Sequence, residues 1–442
     1  MAAMPGEAAA RFMTPWSRQG QRPGPVFVGG AGVHLHTADG ARCLDLSSGL
    51  MCANLGHGHP MVIEAIRRQA ESLCFVSPTL RSDIREVFSE RLCARAPWRG
   101  GARVHFTTGG GEANDDAVKI ARLVTGRLKV LSAYRSYHGT SAGAAALTGG
   151  SRRWASEQAA PGGIARFFAP HPYRSPFHTD DRAEEVRRAL AHLERVIEQE
   201  NPANIAAILI EPVLGSDGLV AYEEGYLAGV RELARRCGAL LIHDEVMCGF
   251  GRVGEMFASR RVGVAPDMLS FAKGVTGACM PLGGVLMREE IAEAFDHRPF
   301  PFGHTYSGHP VCMAAGLGAL RAYETEGLFT RGREIEAWLR QGLDHIRERS
   351  AIVGDVRGIG AFFGIELVRD RETREPLVAW QGADQRLMED FQSDLLARGV
   401  WLYVKYNLCV VAPPLTISRA DLMQGLAIVS EALQALEARV SA

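Results

Sequence analysis

The stretch from Leu240 to Gly274 limits the possible folds more than any other part of the chain. It opens on the apolar run Ala239-Leu240-Leu241-Ile242, which has the length and make-up of a buried strand and stops at His243-Asp244-Glu245. A second run, Met268 to Ala272, stops at Lys273-Gly274. An Asp and a Lys therefore stand at the carboxyl ends of two strands. In open α/β sheets that edge is where ligands bind. Either residue alone is more often a solvated charge, so the rest of the chain has to decide.

Three more apolar runs end in the same way. Arg103 to Thr107 leads into Gly109-Gly110-Gly111, and a helix follows whose apolar positions are Ala113, Ala117, Ile120, Ala121 and Val124, with Gly126 as its stop. Strand, glycine turn and helix start make an anion site, because the first amides of a helix have no partner and its dipole is positive there. The pattern is neither GxGxxG nor a P-loop. Leu128 to Leu131 leads to Tyr137-His138, where an aromatic ring could lie flat on a heteroaromatic cofactor. Ile205 to Ile210 ends at Glu211. Further helices are expected at about 60–73, 84–95, 182–200 and 222–237, and short strands at 26–28, 33–35 and 43–46. The Pro-, Arg- and His-rich stretch 149–180 lacks periodicity and reads as a loop covering a pocket or a subunit contact.

Helices between the runs imply a mostly parallel sheet with its polar endings on one edge. A phosphate cradle, an aromatic ring, a carboxylate and a lysine converge there. Together they read as a pyridoxal phosphate site, with Lys273 carrying the cofactor as an imine and Asp244 paired with its pyridine nitrogen.

Bulk properties narrow the function. At 442 residues the chain exceeds one ordinary domain. A net charge of -1 leaves no electrostatic case for nucleic acid or an anionic membrane. Nine scattered cysteines without a CxxC pair argue against a disulfide framework or a zinc site and for a reducing, cytoplasmic setting. Residues 1–20 contain no apolar leader core, and no apolar run reaches membrane-spanning length. His57 and His59 lack flanking acidic ligands, so no metal site is read.

The residues also match a family. From about Phe12 to about Leu436 the chain resembles the class III aminotransferases, pyridoxal-phosphate enzymes of fold type I. The resemblance rests on Ser48-Gly49-Leu50, Gly110 to Asn114, Tyr137-His138-Gly139, Glu211-Pro212-Val213, Asp244-Glu245-Val246 with Gly249 to Arg252, Phe271 to Gly274, and Gly303 to Pro310. It is closest to the branch acting on taurine and other ω-amino acids or amines with pyruvate. The resemblance implies that Lys273 and Asp244 are catalytic and that Gly110 and Gly111 hold the phosphate. It further implies that Val246 packs on the ring face opposite Tyr137, that His138 and Glu211 lie beside the cofactor, and that Thr305 reaches the phosphate of a neighbouring subunit in a homodimer. The implied architecture is a large cofactor domain over 61–320 and a smaller α/β domain made of 1–60 and 321–442. An aminomutase or racemase on the same fold is the second reading, because its cofactor residues would be identical.

This sequence departs from the family pattern in three places. Gly109-Gly110-Gly111 replaces a common Ser-Gly-Ser, and Met51 stands where many amine-using members have Trp. The arginine that many relatives use for substrate carboxylate, a few residues before Ala412-Pro413-Pro414, is missing, and its position falls near Tyr403. Met51, Tyr403 and Lys405 are therefore the expected substrate residues. An arginine between Arg152 and Arg174 is the alternative anion partner.

Overall fold

The computed structural model describes residues 12–17, 19, 24–215, 217–379, 382 and 385–441. The reading of residues 1–20 as free of a leader falls largely outside them.

Seven strands make the central sheet: β1 Ala102–Thr107, β2 Lys129–Ala133, β3 Ile164–Phe167, β4 Ile205–Ile210, β5 Leu240–Asp244, β6 Met268–Phe271 and β7 Gly283–Arg288. Their order is β1-β7-β6-β5-β4-β2-β3. Strand β5 runs parallel to β4 and β6, and β2 runs parallel to β3 and β4. Strand β7 is antiparallel to both β1 and β6. The carboxyl ends of the other six strands therefore share one edge.

Strands β4 and β5 read as unbroken apolar runs because the sheet is covered on both faces. Ile208, Ile210 and Leu241 pack with Leu193 and Val230 of the helices Arg182–Gln199 and Tyr226–Cys237. Their neighbours Ala207, Leu209 and Ile242 pack with Ala113, Ala117 and Ile120 of the helix Gly110–Thr125 on the other face. Each such Ile or Leu, fully withdrawn from water, contributes about 1.5–3 kcal/mol before entropy is counted.

Two strands of this sheet were not legible in the sequence. The stretch 149–180, expected to be a loop, contains the 3₁₀ turn Ser151–Ala159 and then β3, which pairs with β2 from Val130 to Ala133. Four residues after Gly162-Gly163 carry no period; pairing makes them a strand. Strand β7 begins with two glycines, which look like a turn. They are there for close approach, since a Cβ on Gly284 would stand 2.6 Å from the His105 carbonyl oxygen. The helices fall near their expected places, at Pro60–Ser72, Asp83–Cys93, Arg182–Gln199 and Tyr226–Cys237. The last starts later than expected because Gly225 before it takes a left-handed φ of 87°.

Chain ends meet beside this sheet. The N-terminal strand Arg42–Asp45 pairs in parallel with Val400–Trp401. Arg252, with no exposed surface, ties three segments together. It donates to the carbonyls of Ala361 and Pro413 (3.0 and 2.6 Å), to Ser48 Oγ (3.0 Å) and to Asn54 Oδ1 (2.6 Å). Burial pulls its guanidinium down to about 10. Those acceptors fix the turn Ser48–Met51, and with it Met51, against the C-terminal strands. Among the described residues no helix is long and apolar enough to cross a membrane.

Candidate active site

A cavity of about 720 Å³ opens at the carboxyl edge of the sheet. Gly110, Gly111, Tyr137, His138, Glu211, Asp244, Val246 and Lys273 all line it, and so do Met51 and Tyr403. Thr305 and Lys405 do not. Thr305 is exposed on the segment before the helix Pro310–Thr325. Lys405 lies in a smaller cavity of about 160 Å³, where it is ion-paired with Asp217. It is thus neither a solvated strand residue nor free to meet a ligand in the larger cavity.

Asp244 is 4% exposed and saturated by donors. Its Oδ2 accepts from His138 Nδ1 and from Asn114 Nδ2, both at 2.7 Å, and its Oδ1 accepts from the Val246 amide at 3.0 Å. Asn114 is fixed in turn by Ser270 Oγ, which donates to its Oδ1 at 2.6 Å, and by the His138 carbonyl at 2.8 Å.

Lys273 follows β6 at the start of a 3₁₀ turn, with a left-handed φ of 49°. For a residue with a Cβ that conformation is strained, and such strain gathers at functional sites. Burial lowers its pKa from the ordinary lysine value, while Coulombic interaction with Cys52, Asp244 and Glu211 opposes the fall. Its Nζ makes no hydrogen bond or ion pair among the described residues.

Glu211 is held by the Tyr137 and Gly215 amides, each at 2.9 Å. Burial pushes its carboxyl up to about 7, His138 acts against that, and the charge of Asp244 adds to it. At the glycine turn, the helix starts at Gly110 with no side-chain cap. The amides of Gly110 and Gly111 lie within its first turn, where no intrahelical acceptor exists. A Cβ on Gly110 would stand 2.8 Å from Val246 Cγ2, so glycine lets the helix start approach the turn that follows β5.

Three residues of the site carried no role in the sequence reading. Asn114 had a signal, being a polar residue beside the apolar stripe of its helix. Arg152 was named only as one end of a segment. Its guanidinium lies 4.8 Å from the Tyr137 ring centre and 4.7 Å from that of Trp16, and it donates to Tyr403 Oη at 3.0 Å. Trp16 gave no signal: it is far away in sequence and 59% exposed.

A family model, aminotransferase class-III, matches residues 17–433. The chain belongs to that family. It is 37% identical over 412 residues to a probable aminotransferase of Mycobacterium tuberculosis, covering 88% of this chain and 85% of that protein. It is 32% identical to the taurine–pyruvate aminotransferase of Rhodobacter capsulatus, covering 93% and 92%. The crystal structure of taurine:2-oxoglutarate aminotransferase from Bifidobacterium kashiwanohense, in complex with PLP and glutamate, superposes with a TM-score of 0.93 at 35% identity, covering 97% of this chain and 96% of that one. This class-III enzyme is thus a pyridoxal-phosphate-dependent aminotransferase of fold type I, moving an amino group from an amine donor to a 2-oxo acid.

Proposed function

We propose that this aminotransferase takes ω-amino acids with an anionic tail, of the taurine or β-alanine kind, as donors and pyruvate as acceptor. One observation carries the reading. Arg152, the cavity's only lining arginine or lysine besides Lys273 among the described residues, is held between Tyr137 and Tyr403. A guanidinium forks onto a carboxylate or sulfonate, and the aromatic faces keep it in place without neutralising it. Lys405 has its charge consumed by Asp217. The two relatives named for taurine, from Rhodobacter capsulatus and Bifidobacterium kashiwanohense, support the same class.

The cavity suits the cofactor because its one unpaired amine, Lys273, and its buried carboxylate, Asp244, stand at an edge that also offers unpartnered glycine amides. When bound, the cofactor supplies an electron sink for the pair left at the substrate's amine-bearing carbon. The Gly110 and Gly111 amides would hold its phosphate, Tyr137 and Val246 would bound its ring, and Asp244 would favour a proton on the ring nitrogen. Burial lowers the pKa of the Lys273 amine, which favours its role as the group that takes the proton from the substrate carbon and returns one. Thr305, exposed here, serves the phosphate site of a second copy, which makes the working unit a homodimer.

Steady-state kinetics of Arg152→Ala test the assignment. KM should rise about tenfold or more for taurine, β-alanine and pyruvate, with little change for a donor lacking an anionic group. Lys405→Ala should leave all of them unchanged. An equal rise for charged and uncharged donors would refute the role of Arg152.

A further inference from the structure

Outside the cavity, three side chains that no catalytic role uses converge on one point. His105 of β1 and His304 of the segment 301–309 each place Nε2 2.9 Å from Asp116 Oδ2. All three ligand atoms lie within 4.8 Å of one another. Asp116, on the helix Gly110–Thr125, is 1% exposed, while the His304 side chain is 28% exposed. No sequence pattern marks the group, because Asp116 and His304 lie 188 positions apart.

We propose that His105, Asp116 and His304 bind a divalent transition-metal ion of the zinc class. Two imidazole nitrogens and one carboxylate oxygen are the donor set such ions take, and an open fourth position suits water. Donors about 2.0–2.1 Å from a tetrahedral ion stand about 3.3 Å apart. The two 2.9 Å contacts therefore need to open by only a few tenths of an ångström.

The surroundings fit a ligand shell. Lys119 Nζ holds Asp116 Oδ1 at 3.0 Å, which orients the carboxylate and leaves Oδ2 inward. Lys119 is half exposed, so its own charge stays in water. His304 Nδ1 faces Glu112 Oε1 at 3.9 Å, the kind of carboxylate that fixes a ligating imidazole. Phe300 packs edge-on against His105, with ring centres 5.0 Å apart, and walls one side. Without metal, each Nε2–H donates to Oδ2. With metal, each ring gives Nε2 to the ion and keeps its N–H at Nδ1. The ion would clamp β1, the helix that begins at Gly110 and the segment carrying Thr305 onto one another.

Cobalt(II) titration of the chelator-treated holoenzyme tests this. Wild type should take up one Co²⁺ per chain, with ligand-field bands to the red of the cofactor's absorption, and one Zn²⁺ should displace it. His304→Ala, a change on a partly exposed segment, should weaken binding about tenfold or more while leaving the circular dichroism unchanged. His105→Gln should do the same. The proposal is overturned by absence of saturable uptake, by wild-type affinity in both variants, or by a thiolate-to-cobalt charge-transfer band, which would place the ion on a cysteine.

Discussion

Asp244→Asn separates charge from shape at a buried carboxylate with three donors aimed at it. In wild type, Oδ2 takes His138 and Asn114 at 2.7 Å and Oδ1 takes the Val246 amide at 3.0 Å. An asparagine presents one oxygen and one NH₂. If the oxygen faces His138 and Asn114, the NH₂ opposes the Val246 N–H. If it is flipped, the NH₂ opposes the Asn114 amide and the protonated Nδ1 of His138. At least one buried donor is left unsatisfied either way, which costs about 1–3 kcal/mol of stability. The functional loss has a different source. A carboxylate beside the ring nitrogen raises that nitrogen's pKa by about 1–3 units, equal to about 1.4–4 kcal/mol. Losing it slows the proton-transfer step by roughly 10- to 1000-fold. The assay is a stopped-flow half-reaction with the cofactor-loaded variant and saturating donor, read beside its melting temperature. A wild-type rate constant in a folded, loaded variant would refute the role given to Asp244. A slow rate that recovers when a stabilising substitution elsewhere restores the melting temperature would show that charge was not the cause.

Gly110→Ala places a methyl 2.8–2.9 Å from both methyls of Val246, whereas Gly109→Ala points into open space. Cofactor affinity, measured by fluorescence titration, should fall about tenfold or more in the first and much less in the second, and equal affinities would contradict the cradle. Glu211, raised to about 7 by burial, favours the folded state in its protonated form. That contribution is full below its unfolded value of about 4.3 and is lost as pH rises through about 7. Cofactor-free wild type should therefore lose on the order of 1–3 kcal/mol more stability than Glu211→Gln between pH ~5 and pH ~8, and parallel denaturation profiles would exclude this titration. If Thr305 completes a partner's phosphate site, Thr305→Ala should weaken cofactor binding, and loaded enzyme should sediment as a dimer. A fully active, cofactor-bound monomer would rule out the shared site.

The carboxyl edge of the sheet was legible in the sequence because strands buried on both faces must be apolar throughout. Wherever such a run ended at Asp244, Lys273, Glu211 or a glycine turn, the break in pattern marked both the strand end and the ligand edge. Single-residue roles were legible only where a residue stood at such a break. Strands β3 and β7 were not, since four residues and a Gly-Gly start carry no period and become strands only through pairing with β2 and with β1 and β6. Tertiary structure alone decided how charges are spent. Lys405 stands in an apolar run and Arg152 in a polar one, and the sequence reading put Lys405 first. Folding puts Asp217 against Lys405 and consumes its charge, and it lays Arg152 against the rings of Tyr137 and Trp16 with a hydrogen bond to the Tyr403 hydroxyl, which hold it without cancelling its charge. The meeting of His105, Asp116 and His304 has the same cause. Local pattern reports which face a residue takes, whereas the partner of a buried charge comes from a distant segment that only the packed sheet brings near.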